Sequence, residues 1–393
     1  MENKTCIICG ETKNSDSFEE DYKFPDDKIC CICKECKKNI TKNMPENREI
    51  LDRNFENLKY FCINYNLIFS YNLNLDYKKP IIITDPDKKC RFCGKKEPEV
   101  TFKKKAHAIS EMLGNKVFLS DNECDQCNMF FGNELENDLG KYLGLIRTLT
   151  QTEGKKKVPA YKTKDNKARI DFIPNKGYVI IQQEGSEFLD LENKGIIFEK
   201  EPYSPIKVYK AFVKMALSIL PYQFLDDFSE TLCWLKKDTI NNDVDKIYDQ
   251  SMTNYAYLVE RFIPGHKPLD LKVTGLLRKN NNSLSPYYYF IIEFNNYCYQ
   301  IMIPCIKRDT ILLEHDIKIN IFPIFYDFFP DKIKITTNTK NMKNKNKIKE
   351  DKLIFPLNFE KIEIFKPNEK NLENLLKKEG ISIKLNLKPK EKK

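Results

Sequence analysis

Two pairs of cysteines constrain this chain more than any other feature. Cys90 and Cys93 stand in KCRFCG, and Cys124 and Cys127 stand in ECDQCN. Each Cys-x-x-Cys knuckle supplies two thiolates from a tight turn, so two knuckles at this separation predict one tetrahedral zinc site with the intervening chain as a closed loop. The same spacing without metal would leave four structural thiols.

The contents of the loop decide what it is for. Val100 to Ile109 reads as a strand ending in His107, Gly114-Asn115 as a turn, and Lys116 to Leu119 as a returning strand. After Cys127, the residues Phe130, Leu135, Leu139 and Leu143 recur at helical spacing. A hairpin followed by a helix, with a histidine on the first strand and an asparagine where the helix begins, resembles the ββα-metal core of the HNH endonucleases. The resemblance spans residues 88 to 145, and its motif positions are His107, Asn115 and Asn128.

That resemblance implies phosphodiester hydrolysis. A neutral imidazole with a pKa of about 6.5 suits His107 as the base that deprotonates water. Asn115 takes the family role of constraining the loop that aims the histidine. Asn128 presents its amide oxygen to a hard divalent cation, Mg²⁺ or Mn²⁺, while the zinc is structural. Many members carry an acidic residue directly before the histidine, where this chain has Ala106. Glu136, about two helical turns past Asn128, is the candidate for the missing carboxylate, with Glu134 and Glu123 as rivals. Each of the three reads equally well as a solvated surface charge.

A second cysteine module occupies residues 1–40. Cys6 and Cys9 pair with Cys33 and Cys36 across a loop carrying Phe18 and Phe24, as a miniature zinc ribbon folded largely by its metal. Cys30 with Cys33 is the alternative second knuckle. Eight of the fourteen cysteines thus fall into four pairs, a pattern of thiolate sites in a reducing compartment rather than of disulfides. The start MENKTCIICG lacks an apolar signal core, and no apolar run approaches the roughly 20 residues that span a bilayer. A cytoplasmic protein without membrane contact is expected.

The fold class expected is α+β, with the chain partitioned into a zinc ribbon at 1–40, a helical connector at 41–87, a zinc-stapled nuclease core at 88–150, a basic connection with β segments at 151–200, and a mixed domain of unrecognised fold at 201–393. In the connector, Arg48 to Tyr65 has helical spacing and is expected to pack on the nuclease core. Ser204 and Pro205 open a helix whose Lys207, Lys210 and Lys214 read as a wet face. LDLKVTGLLRK, YYYFIIEF, YCYQIMIPCI and IKINIFPIF read as strands, with Asn295-Asn296 as a tight hairpin turn and Lys340–Lys352 as a basic linker.

The net charge of +9 is modest, but lysines cluster at 103–105, 155–157 and 340–352. Such clusters favour a polyanion, here DNA, although a lysine-rich composition alone produces them too. The leading expectation is a metal-dependent DNA endonuclease. Its rival is a zinc-stapled nucleic-acid-binding or scaffold protein without catalysis, which Ala106 favours. The second half is open to DNA recognition, ligand sensing or partner binding, and bacterial antiviral systems that pair such nucleases with regulatory modules offer an analogy for a sensor.

Overall fold

The computed structural model of the protein describes residues 3–6, 11–18, 33–41, 48–73, 79–154, 157–174, 177–190, 192, 195–236, 243–280, 284–313, 317–330 and 332–356. The class is α+β. Two compact units form, one of Met1–Pro159 with Lys200–Asp351 and one of Ala160–Glu199 with Lys352–Lys393. Among the described residues no helix is long and apolar enough to cross a membrane.

The larger unit is built on a six-stranded antiparallel sheet in the order Thr336–Asn341, Tyr257–Phe262, Tyr297–Ile303, Tyr288–Asn295, Leu269–Arg278, Tyr65–Leu73. Its central strands are apolar without alternation because both faces are covered, and Tyr297–Ile303 is buried along its whole length. Phe294 faces Tyr297 in the register, so Asn295-Asn296 is the two-residue turn, and Asn295 takes the left-handed φ of 49° that such a turn asks for. The helix Pro205–Ile219 begins on its proline and buries every residue except Lys207. Phe212 meets Tyr299 edge-on at 5.3 Å, and the Tyr209 hydroxyl donates to the Met302 carbonyl at 2.5 Å, which fixes the helix on the sheet.

The helix read near residue 48 forms as Arg48–Asn64, but its aromatic face packs on the second half of the chain. Phe55 lies 5.1 Å from Phe328, and Phe61 5.3 Å from Phe322. The chain then runs straight into the strand Tyr65–Leu73, which pairs with Leu269–Arg278. Gly275 is required in that pairing: a Cβ there would stand 2.4 Å from the Phe69 ring.

Two further readings are corrected. IKINIFPIF forms no strand, only a short 3-10 turn at Phe325–Phe328. The basic run 340–352 is no loose linker. It starts in the edge strand Thr336–Asn341 and is then tied to the start of the buried helix, with the Ile206 amide donating to Asn344 and the Ser204 hydroxyl to Lys345. Lys340 pairs with Glu260 at 2.8 Å and Lys345 with Asp249, so charge that looked available for a polyanion is partly spent within the fold.

The smaller unit contains the hairpin Tyr161–Lys162 with Ala168–Ile173, continued by Gly177–Gln182. A second sheet joins Leu189–Asp190, Gly195–Glu199 and Lys352–Pro356.

Candidate functional site

The cysteine loop closes as its spacing demands. The Cys90 amide donates to Lys95 and the Gly94 amide to the Cys90 carbonyl, a turn in which Gly94 takes a φ of 70° at no steric cost. Cys124 caps the helix Asp125–Phe131, with the Cys127 amide pointing at its sulfur at 3.5 Å and its own amide pointing at the Cys90 sulfur at 3.4 Å. The four sulfurs all lie within 4.8 Å of one another, an all-thiolate set of the size and softness that fits zinc. Four thiols this close do not ionise independently. The Cys127 thiol holds Cys90 down to about 4, and burial pushes Cys124 up to about 11, a division of charge that a bound cation would relieve.

The N-terminal module repeats the device. The strand Asn3–Thr5 pairs with Thr12–Asn14, and the helix Lys34–Thr41 follows. The sulfurs of Cys6, Cys33 and Cys36 lie within 4.8 Å of one another, with the Cys33 amide donating to Cys6 at 3.3 Å. Cys36 is therefore in the cluster. Cys9, the expected fourth ligand, and Cys30, the alternative to Cys36, lie outside the described residues.

Inside the larger loop, His107 sits on a two-residue strand, Ala106–His107, opposite Leu119 of Phe118–Ser120, and Ile81–Ile83 adds a parallel third strand. The first strand is shorter than expected because the amides of Lys103 and Lys104 bond the Asp125 carboxylate, at 3.1 and 2.8 Å, and not a neighbouring strand. That tether leaves Lys103, Lys104 and Lys105 exposed immediately before the histidine.

Asn115 is fully buried and all its hydrogen-bonding capacity goes into the hairpin. Its amide donates to Ile109 at 2.5 Å and Phe118 at 2.9 Å, and its oxygen accepts from Val117 at 3.1 Å and Phe118 at 2.8 Å. The same Nδ2 stands 3.5 Å from His107 Nδ1. On the other side of the ring, Nε2 is 3.6 Å from the Glu111 carboxylate, a neighbour that sequence reasoning missed. The signal was available: Ser110 caps a single 3-10 turn at Glu111–Leu113, and that turn folds the fourth residue after the histidine back over its ring.

The helix after Cys127 is interrupted by a π-helical stretch, Gly132–Glu136. Phe131, and not Phe130, joins Leu135, Leu139 and Leu143 in the core, the i, i+4 spacing of an α-helical face. Asn128 is half-buried in the first turn, and among the described residues no side-chain hydrogen bond occupies its amide. The three carboxylates differ sharply. Glu134 pairs with Lys207 at 2.5 Å, and Glu123 is buried against Lys214 at 2.8 Å with its pKa raised by burial. Glu136 is half-buried and, among the described residues, forms no ion pair, while its charge adds to the upward push on Glu123. Lys214 and Lys210 are buried, so the wet lysine face expected of their helix does not exist. Lys210 donates to the Trp234 carbonyl at 2.8 Å and lies over that indole.

The four cysteines thus close a ββα unit that carries His107, Asn115 and Asn128. Residues 90–143 match the family described as HNH endonuclease, which makes this segment similar to a family of nucleases. The match covers the cysteine loop and its helix and leaves the remainder of the chain unassigned. No curated protein and no solved structure matches the chain.

Proposed function

We propose that the protein is a metal-dependent DNA endonuclease of the HNH type. The observation that carries this reading is Asn115, which spends both ends of a fully buried amide on the hairpin and brings the same nitrogen to 3.5 Å from the His107 ring. Such bracing is what a general base needs, since proton transfer depends on geometry before pKa. His107 takes the proton of the attacking water, and the exposed Lys103–Lys105 run meets the phosphate backbone.

A hard divalent cation, Mg²⁺ or Mn²⁺, polarises the scissile phosphate and stabilises the leaving oxygen when bound. Asn128 and Glu136 are the residues proposed to hold it. The donors suit such an ion, an amide oxygen and a carboxylate without a competing ion pair. The π-helical stretch favours the pairing further. Eight residues of regular α-helix overshoot two full turns by about 80°, and the wider π turns reduce that overshoot and bring Glu136 toward the face of Asn128. Glu111, 3.6 Å from the His107 ring, is the alternative carboxylate.

A rival reading, a zinc-stapled nucleic-acid-binding protein without catalysis, has one observation in its favour. Ala106 is buried where many members carry a carboxylate, and among the described residues no third histidine, cysteine or carboxylate joins His107 and Glu111 within 4.8 Å. Supercoiled plasmid incubated with purified protein and Mg²⁺ or Mn²⁺ decides between them. Nicking or linearisation that disappears in His107→Ala supports the nuclease, and retention of the plasmid with intact supercoils supports the rival. By the same analogy the second half of the chain would regulate the nuclease through a ligand or partner protein, as in bacterial antiviral systems.

A further inference from the structure

The helix Pro205–Ile219 lies far outside the matched segment, yet one of its side chains reaches the strand that carries the histidine. Lys214 is 3% exposed, its ammonium donates to the main-chain carbonyl of His107 at 3.2 Å, and it pairs with Glu123 at 2.8 Å. Glu123 immediately precedes the zinc-loop cysteine Cys124 and is itself 1% exposed. The rings of Phe92 and Phe131, from the two sides of the cysteine loop, flank the same ammonium at 5.9 Å.

A buried ammonium is costly to hold, and a buried ion pair is seldom the most stable solution at its position. Packing alone would be served by a methionine. What the lysine adds is a charge paired with Glu123 and a hydrogen bond to the peptide of the candidate base. Ala106–His107 is only two residues long and has a ladder partner on one side only, Phe118–Ser120, so few main-chain bonds hold it. We propose that Lys214 is a positioning residue for His107: it completes the nuclease site from the second half of the chain by fixing the histidine peptide, while Asn115 fixes the ring.

The inference rests on the nuclease reading, and its test separates the two. Wild-type cleavage lost in His107→Ala establishes that reading first, with no involvement of Lys214. The discriminating variants are Lys214→Met, which leaves Glu123 unpaired, Lys214→Arg, which keeps a charged donor, and the double variant Glu123→Gln with Lys214→Met, which removes both charges. Misplacing a catalytic group by about 1 Å typically costs about 100-fold in rate, so the double variant is expected to keep its zinc and its fold and lose kcat by about 10- to 100-fold with KM within a few-fold of wild type. Lys214→Arg is expected to recover part of the loss.

A second readout works without any cleavage. The chain has three histidines, His107, His266 and His315, so imidazole NMR signals of the full chain are few and the His107→Ala variant assigns the relevant one. In the double variant the His107 signal should move while the His266 signal stays. If the double variant cleaves at the wild-type rate, or if its His107 signal is unmoved, Lys214 merely neutralises Glu123 and the proposal is overturned.

Discussion

Arg91 forms a two-pronged ion pair with Asp85, and both side chains are 2% exposed. The remaining face of the same guanidinium takes the carbonyls of Leu217, Ser218 and Leu220, each at 2.9 Å, and so satisfies the end of the Pro205–Ile219 helix. Arginine suits this place because its planar fork serves a carboxylate and a helix terminus together. Removing one partner leaves the other charge buried, so Arg91→Met or Asp85→Ala is expected to cost about 3–5 kcal/mol in denaturant unfolding. A loss below about 1 kcal/mol would mean that water replaces the pair.

Zinc content follows from the cysteine clusters. About two zinc ions per chain are expected by elemental analysis of protein purified without chelator. Cys90→Ser or Cys127→Ser should lower that by about one and unfold the nuclease segment, because a thiolate ligand contributes folding energy directly. Cys298→Ser should leave the zinc count unchanged, since that thiol is buried in the central sheet and pushed far up by burial.

Replacing His107 with alanine should lower plasmid cleavage by about 10² to 10⁴. Zinc content and DNA binding should stay as they are, because among the described residues His107 belongs to neither cysteine cluster and the exposed lysine run before it is left intact. Cleavage at the wild-type rate would place the activity elsewhere.

The carboxylates should separate by their existing partners. Glu136→Gln is expected to reduce cleavage and to be partly rescued by excess Mn²⁺, as is Asn128→Ala, whereas Mn²⁺ should not rescue His107→Ala. Glu134→Gln should matter little, because its ion pair with Lys207 is partly exposed and such pairs contribute about 0–1 kcal/mol. Should Glu111→Gln fall and Glu136→Gln remain active, the metal role passes to Glu111.

Asn115→Ala strips four hydrogen bonds from a buried hairpin and leaves their main-chain partners unsatisfied. The expected cost is about 2–4 kcal/mol of stability, with cleavage lost before the fold is. A thermal midpoint unchanged from wild type would deny Asn115 its bracing role.

Local spacing made much of this legible. The knuckles Cys90/Cys93 and Cys124/Cys127, the hairpin turn at Asn295-Asn296 and the helix opening at Pro205 are short-range patterns, and each forms where the residues indicate. What stayed hidden is long-range. YNLIFSYNL fell within a stretch read only as a helical connector, and nothing local in it announced a strand or its partner Leu269–Arg278. Lys210 and Lys214 looked wet because a lysine's partner on a distant element leaves no trace in helical spacing. The low-complexity run beginning at Lys340 likewise concealed the end of an ordered strand whose one lysine, Lys340, has a carboxylate partner.

The pairing of Tyr65–Leu73 with Leu269–Arg278 has a consequence for synthesis. The nuclease segment lies between these strands in sequence, and the helix that carries Lys214 follows it. At about 5–20 residues per second, the ribosome needs roughly 7–30 s after Leu143 to reach Arg278. Throughout that interval the cysteine loop exists without the sheet beneath it and, at first, without the ammonium behind its histidine. A nascent chain therefore holds the cysteine loop and His107 before the lysine that bonds the histidine peptide has been made.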